Sequence, residues 1–458
     1  MHGPTSLIRP CPAIELEKIM KQQLLSSLAL AALTVLSMSA RAQSLSDLYD
    51  AARQYDAAYQ SAKSQYQATM AVSEEADQQI LPTVNLSVTG SNGQVNVIES
   101  SPNRSYTNQG ISMSASQPLY RPGNIATYRQ GKKQIDVAQA AIQTAEQDLI
   151  VRTSQAYFDV LNAQDTLTFV QAQKTAVAEQ LASAKRNFEV GTATITDTRE
   201  AQARFDLVVA QEIAAENDLR VKNLALNQLV GRSNTTPKPL ASIDLPNLLP
   251  DNVNTWIQQA LDGHPSLKQL KATAEIARLE VEKAKAGHKP TLDMTASYGY
   301  TENINGTAIS ASTSKSAVGV VGLSFNLPLF SGFYTQNRIK ETLALAEKAS
   351  SDLEAAQRNI SQATRAAFFG VLSGLGQVKA LQAAETSSQS ALDANKLGYQ
   401  VGVRINIDVL NSQSQLFQTK RDLAKARYDV LVGGLKLRQA NGSLKAEDLQ
   451  SVNTLLAK

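Results

Sequence analysis

The sequence predicts a mixed α and β membrane protein, a long α-helical coiled-coil tube joined to strands of a transmembrane β-barrel and built from two internal structural repeats. Three observations predict it. One unit of sequence occurs twice at a fixed offset, each copy holds a long proline-free stretch with heptad-like apolar spacing, and each holds a pair of segments that alternate apolar and polar residues.

In chain order the first element is a leader. Met20-Lys21 precedes an apolar stretch, Leu24 to Met38, that ends at Ala40-Arg41-Ala42. A basic start, an apolar middle and an Ala-x-Ala end predict a secretory signal peptide cleaved after Ala42, too short to span a bilayer. Pro10, Cys11 and Pro12 do not suit a signal-peptide start, so translation is expected to begin at Met20 and residues 1–42 form the presequence. Its removal takes away Cys11, the only cysteine, which excludes a disulfide, a thiol nucleophile and a Cys metal ligand from the mature chain. No cysteine at the cleavage site also means no lipid anchor there. Of 44 basic and 41 acidic residues, Arg9, Lys18, Lys21, Arg41, Glu15 and Glu17 leave with the leader, so 40 and 39 remain. That near-neutral balance argues against nucleic acid as a partner.

Aromatic residues are 5% of the chain and Trp256 is the only tryptophan, a composition that suits long helices more than compact cores. After the leader no apolar run is long enough for a membrane-spanning helix.

The repeat sets the organisation. Tyr157-Phe158-Asp159-Val160-Leu161 aligns with Phe368-Phe369-Gly370-Val371-Leu372, and Phe188-Glu189-Val190-Gly191 with Tyr399-Gln400-Val401-Gly402. The pairs Gly191 and Gly402, Asp197 and Asp408, and Gly231 and Gly442 each lie 211 positions apart. The halves are assigned to 43–240 and 241–458.

Within each half, strands come first. Val84, Leu86 and Val88 alternate with Asn85, Ser87 and Thr89, and Ile111, Met113 and Ala115 with Ser112, Ser114 and Ser116. The second half repeats this with Leu292, Met294, Ala296, Tyr298 and Tyr300, then Val321, Leu323, Phe325 and Leu327. Strands are expected at 82–97, 108–119, 290–303 and 316–327, with Ser-, Asn- and Gly-rich loops between Gly90 and Asn108 and between Glu302 and Ser316. An apolar face and a polar face are what a transmembrane barrel requires. Pro118 and Pro328 are expected to stop the ladder, and Gly123 and Gly332 to turn the chain.

Long helices follow. Ile135, Ala138, Ile142, Ala145 and Leu149 recur at spacings of 3 and 4, with small residues that let helices approach closely. No proline interrupts Asn124 to Glu189 or Thr335 to Val401, so each stretch reaches about 100 Å at 1.5 Å per residue. Gly231 to Asn254, with four prolines, reads as a joint that packs outside the tube, and the tail from Gly442 occupies the matching place.

Four strands cannot close a membrane barrel, and an open edge in lipid leaves backbone groups unpaired. The chain is therefore expected to oligomerise, with two, three or more copies all allowed. An enzyme is not expected: the mature chain has two histidines, His264 and His288, no His-Glu-x-x-His and no phosphate-binding Gly-x-x-x-x-Gly-Lys loop. No catalytic residue, metal site or cofactor is assigned.

These residues resemble the TolC family of outer-membrane channels and efflux proteins. The resemblance runs from about Ser44 to Leu456 and is most specific in Gly287-His288-x-Pro290-Thr291-Leu292-Asp293, in Gly322-Leu323-Ser324-Phe325-x-Leu327-Pro328, in Asn187-Phe188-Glu189-Val190-Gly191, and in Gly398-Tyr399-x-Val401-Gly402-x-Arg404-x-x-x-Asp408. It implies a homotrimer whose twelve strands form one barrel in outer-membrane lipid and whose helices form a periplasmic tunnel. It also implies docking to a periplasmic adaptor (membrane fusion) protein and an inner-membrane ABC or RND-type pump, for type I secretion or efflux. A trimeric adhesin with a coiled-coil stalk is the alternative, but such proteins gather their strands at the C-terminus, and here the two pairs are far apart.

Gly191 and Gly402 mark the turns at the far end of each long helix. Read alone they are helix punctuation, with Asp197 and Asp408 favouring the first turn of the next helix. The resemblance adds that Tyr399, Arg404, Asp197 and Asp408 hold a tunnel entrance closed, with Arg404 and Tyr399 pairing to Asp197 across coils. Many members carry a second acidic residue one turn beyond the first, whereas position 411 is Asn411. One acidic ring in place of two implies weaker cation selectivity and weaker block by multivalent cations.

Overall fold

The computed structural model describes residues 43–96, 103–241 and 250–457. The predicted leader lies outside the described residues. Each half runs helix pair, strand pair, long helix, returning helix. The first comprises α1 (Leu45–Tyr55), α2 (Ala57–Asp77), β1 (Thr83–Val95), β2 (Arg104–Tyr120), α3 (Pro122–Glu189) and α4 (Ile195–Val230). The second comprises α5 (Val253–Gly263), α6 (Pro265–Ala286), β3 (Thr291–Ile304), β4 (Ser314–Asn326), α7 (Tyr334–Gln400) and α8 (Asn406–Ala440), with α9 (Asp448–Asn453) in the tail. Among the described residues no helix is long and apolar enough to cross a membrane.

The strands form one antiparallel sheet in the order β1-β2-β3-β4. β2 and β3 come from different halves yet pair closely, with Ile111 opposite Tyr300 and Met113 opposite Tyr298. Opposed residues share a face. The rows Leu86-Met113-Tyr298 and Val84-Ala115-Ala296-Val321 are therefore on one side, and Ser87-Ser112-Gly299 and Asn85-Ser114-Ser297 on the other. Leu86 is 65% exposed and Leu323 70% exposed, so among the described residues nothing covers the apolar face. Such a face suits lipid and leaves the hydroxyl-rich one for a lumen.

Three expectations need correction. β1 continues to Val95 and β2 starts at Arg104, so most of the presumed first loop is paired strand, including Ser91 opposite Asn108. Polar residues there mark the lumen face and the outer end of the strands, which composition alone does not separate from a loop. Likewise β3 runs to Ile304 and β4 begins at Ser314. Pro118 does not stop the ladder either: it lies opposite Asp293, and the register shifts only between Pro118 and Tyr120. A bulge accommodates the missing N–H.

At this junction the sheet is tied to the tube. Arg121 Nε and Nη2 donate to the two carboxylate oxygens of Asp293 at 2.7 Å each, a bidentate pair in which Asp293 is buried. Pro122 then opens α3 at its first position, where the absent N–H costs nothing.

The long helices span 68 and 67 residues, about 100 Å each. α3 packs along α4 and α7 along α8, forming two hairpin coils, while α3 also meets α8, α2 and α6. The main core lies partway along the tube, where Tyr157, Phe158, Leu149, Ile150, Tyr428 and Leu435 are buried together with α1 and α9. Tyr157 donates to the carbonyl of Lys238, and Leu240 bridges to Leu456, so the inter-half segment and the tail meet on the same band. There Tyr428 donates to Asp165 at 2.6 Å, and burial raises the Asp165 carboxyl above the usual carboxylate range.

Candidate functional site

The two hairpin tips share one backbone design. Val190 and Val401 have the same conformation (φ −91, ψ 4), and Gly191 (φ 76) and Gly402 (φ 80) follow in the left-handed region. Thr192 N–H donates to the Asn187 carbonyl at 2.8 Å, and Val403 N–H to Gly398 at 2.9 Å. Each is a Schellman closure that satisfies the last carbonyls of the long helix. Nothing lies within 4 Å of where a side chain at Gly191 or Gly402 would start, so the conformation, not space, calls for glycine.

The returning helices begin differently. Asp197 Oδ2 accepts from Thr194 N–H (2.9 Å) and Thr194 Oγ1 (2.7 Å), while Asp197 N–H donates to Thr194 Oγ1, a reciprocal capping box on α4. α8 has Ile405 at that place and no side-chain cap. Its Asp408 instead lies 3.7 Å from Arg404 on the same turn. Both arrangements place a carboxylate on the positive end of a helix.

The sequence-predicted residues converge on this end of the tube, with contacts other than those expected. Tyr399 Oη accepts from Asn187 Nδ2 at 3.1 Å, across the two coils. Within one chain, and among the described residues, neither Tyr399 nor Arg404 bonds to Asp197. Asn411 is exposed and its Oδ1 accepts from Arg204 Nη2 at 2.8 Å. A side chain at Gly398 would start 2.7 Å from Arg404 Cγ, which accounts for that glycine of the motif.

Sequence reasoning missed four partners: Gln180, Asn187, Arg204 and Asn406. Asn406 is 1% exposed and bonds to Gln180, and its Nδ2 reaches the Asp197 carbonyl at 3.4 Å. It occupies the place that Ile195 holds in the first half, so the polar-for-apolar exchange between repeats was a signal available in the sequence. Among the described residues no cluster of His, Cys, Asp and Glu could hold a metal.

The sequence pattern of the family described as outer membrane efflux protein matches residues 48–232 and 256–443. The chain belongs to this family. The outer membrane protein TolC of Vibrio cholerae is 33% identical to this outer membrane efflux protein over 437 residues, covering 94% of this chain and 98% of the relative. The alkaline protease secretion protein AprF of Pseudomonas aeruginosa is 31% identical over 358 residues, covering 76% and 73%. Among solved structures, the outer membrane protein VceC from Vibrio cholerae superposes with a TM-score of 0.76 at 18% identity, covering 87% of this chain and 96% of that one, and shows the fold. As a family member the chain is an outer-membrane exit duct. Its sheet belongs to the barrel in the outer membrane and its helical tube to the periplasm.

Proposed function

We propose that this duct works as a homotrimer that passes secreted proteins, small molecules or both. They are delivered by an inner-membrane pump of ABC or RND type through a periplasmic adaptor protein. The reading rests above all on the four-stranded sheet. Among the described residues β1 and β4 each have one unpaired edge, and lipid cannot satisfy those backbone groups. Closure by neighbouring copies removes the edges, and three copies make twelve strands. The protease secretion in the name of one relative favours secreted proteins among the cargoes. With no nucleotide site in the sequence, the driving energy comes from the pump, and the duct itself carries out no reaction.

The tips form the gate in this reading. Asp197 uses Oδ2 for its own cap, and Arg404 makes only a 3.7 Å contact with Asp408, so both can reach across to a neighbouring coil. Exposed pairs of this kind contribute about 1 kcal/mol or less each, an amount that engagement of adaptor and pump can offset. Replacing Tyr399→Phe together with Arg404→Ser is expected to raise single-channel conductance in planar bilayers. Unchanged conductance would remove these residues from the gate.

A further inference from the structure

The opposite end of the molecule holds a contact that this reading does not use. On the hydroxyl-rich face of the sheet, the register leaves two charged side chains among the described strand residues: Asp293, paired with Arg121, and Arg104. Arg104 is the first residue of β2, opposite Val95 and in even steps from Ser112 and Ser114, so it points to the lumen side at the outer end.

Its guanidinium does not project into open space. Nη1 donates to the carbonyls of Asn305 (2.6 Å) and Ser310 (2.7 Å), and Nη2 to that of Thr307 (2.6 Å). All three carbonyls belong to the segment 305–313 between β3 and β4. A planar cation with a fixed fork of donors suits this convergence, and bonds to a charged donor are the stronger kind. Asn305 (φ 60) and Gly306 (φ 89) are successive left-handed residues that turn the chain sharply out of β3. A side chain at Gly306 would start 1.9 Å from the Ser310 carbonyl oxygen and 2.5 Å from Arg104 Nη1, so the loop is folded tightly on the guanidinium. Thr307 N–H to Ser310 O (2.7 Å) and Ser310 N–H to Thr307 Oγ1 (3.2 Å) close the loop on itself. Ile309, 98% exposed, sits at its apex.

A lumen-facing side chain that holds three carbonyls of a loop draws that loop over the lumen rim. We infer that Arg104 is a clamp that folds segment 305–313 across the outer mouth, making a second constriction at the exit that sets the size of what can pass. The inference rests on the oligomeric barrel proposed above, in which each copy contributes one clamp. The clamp binds backbone carbonyls, so apart from Gly306 and Thr307, whose own contacts shape the loop, its side chains can vary without removing the acceptors.

Size exclusion measured from each side of a planar bilayer tests this, because the outer mouth and the periplasmic gate are then read separately. Polyethylene glycols of graded mass are added to one compartment and the largest that lowers conductance is recorded. Arg104→Gln is expected to shift the outer-side cutoff to larger polymers with the periplasmic-side cutoff unchanged. Arg104→Lys, whose single ammonium cannot span three carbonyls, should give an intermediate shift. An unchanged outer cutoff overturns the clamp. Should Arg104→Gln fail to assemble, replacing 307–310 by two glycines is expected to give the same outer shift, and no shift there overturns it equally. If the unaltered protein makes no pores at all, the barrel reading fails, and the clamp with it.

Discussion

Asn411 shows how a single side chain acquires meaning only beside its neighbour. One turn beyond Asp408, it is neutral, and Arg204 from the other coil donates to it at 2.8 Å. A carboxylate placed at 411 would meet that guanidinium at once and lose most of its effect on passing ions. Asn411→Asp alone is therefore expected to increase cation selectivity and block by a trivalent cation only weakly, whereas Asn411→Asp with Arg204→Gln increases both strongly. Reversal potentials in a salt gradient measure the first and current block the second. Equal effects of the single and double variants would show that Arg204 does not screen the ring.

At the scale of elements, the joint between α5 and α6 couples a cap to pH. His264 ends one helix, its N–H donating to Ala260, and starts the next, its Nδ1 accepting from the Ser266 N–H at 3.1 Å. Burial holds the imidazole below its ordinary value of 6.5, and a protonated ring cannot accept that bond. Because the folded value is depressed, the stabilisation is present above about pH 6.5 and is lost as pH falls through the folded value. Thermal melting in detergent should decline with acidification through this window, and His264→Asn, which keeps an acceptor without titrating there, should flatten the decline. The tips make a related point. Their Schellman closures were legible in Gly191 and Gly402, because only backbone conformation was needed. The unequal N-caps were not, because Asp197 and Asp408 look alike in sequence, while Thr194 and Ile405 decide what each carboxylate does.

For the whole molecule, the two coils are joined within one chain mainly where α3 meets α8, and at the tip through Asn406, Gln180 and Arg204. Among the described residues the apolar sheet face and both outer strand edges have no cover. Purified in detergent, the mature protein is expected to have the mass of three chains, read by light scattering after correction for bound detergent. A monomer would contradict the closed barrel. By itself the sequence determined the two-fold repeat, the length of the helices and the amphipathic strands, since each follows from periodicity along the chain, and a recognisable motif pointed to the hairpin tips. Only the tertiary structure decided that β2 pairs with β3 across the halves, that Asp293 anchors Arg121, that Arg204 shadows Asn411 and that Arg104 holds the outer loop. These contacts join residues about 170 to 210 positions apart, and no local pattern encodes such pairs because neither partner carries a mark of the other until folding brings them together.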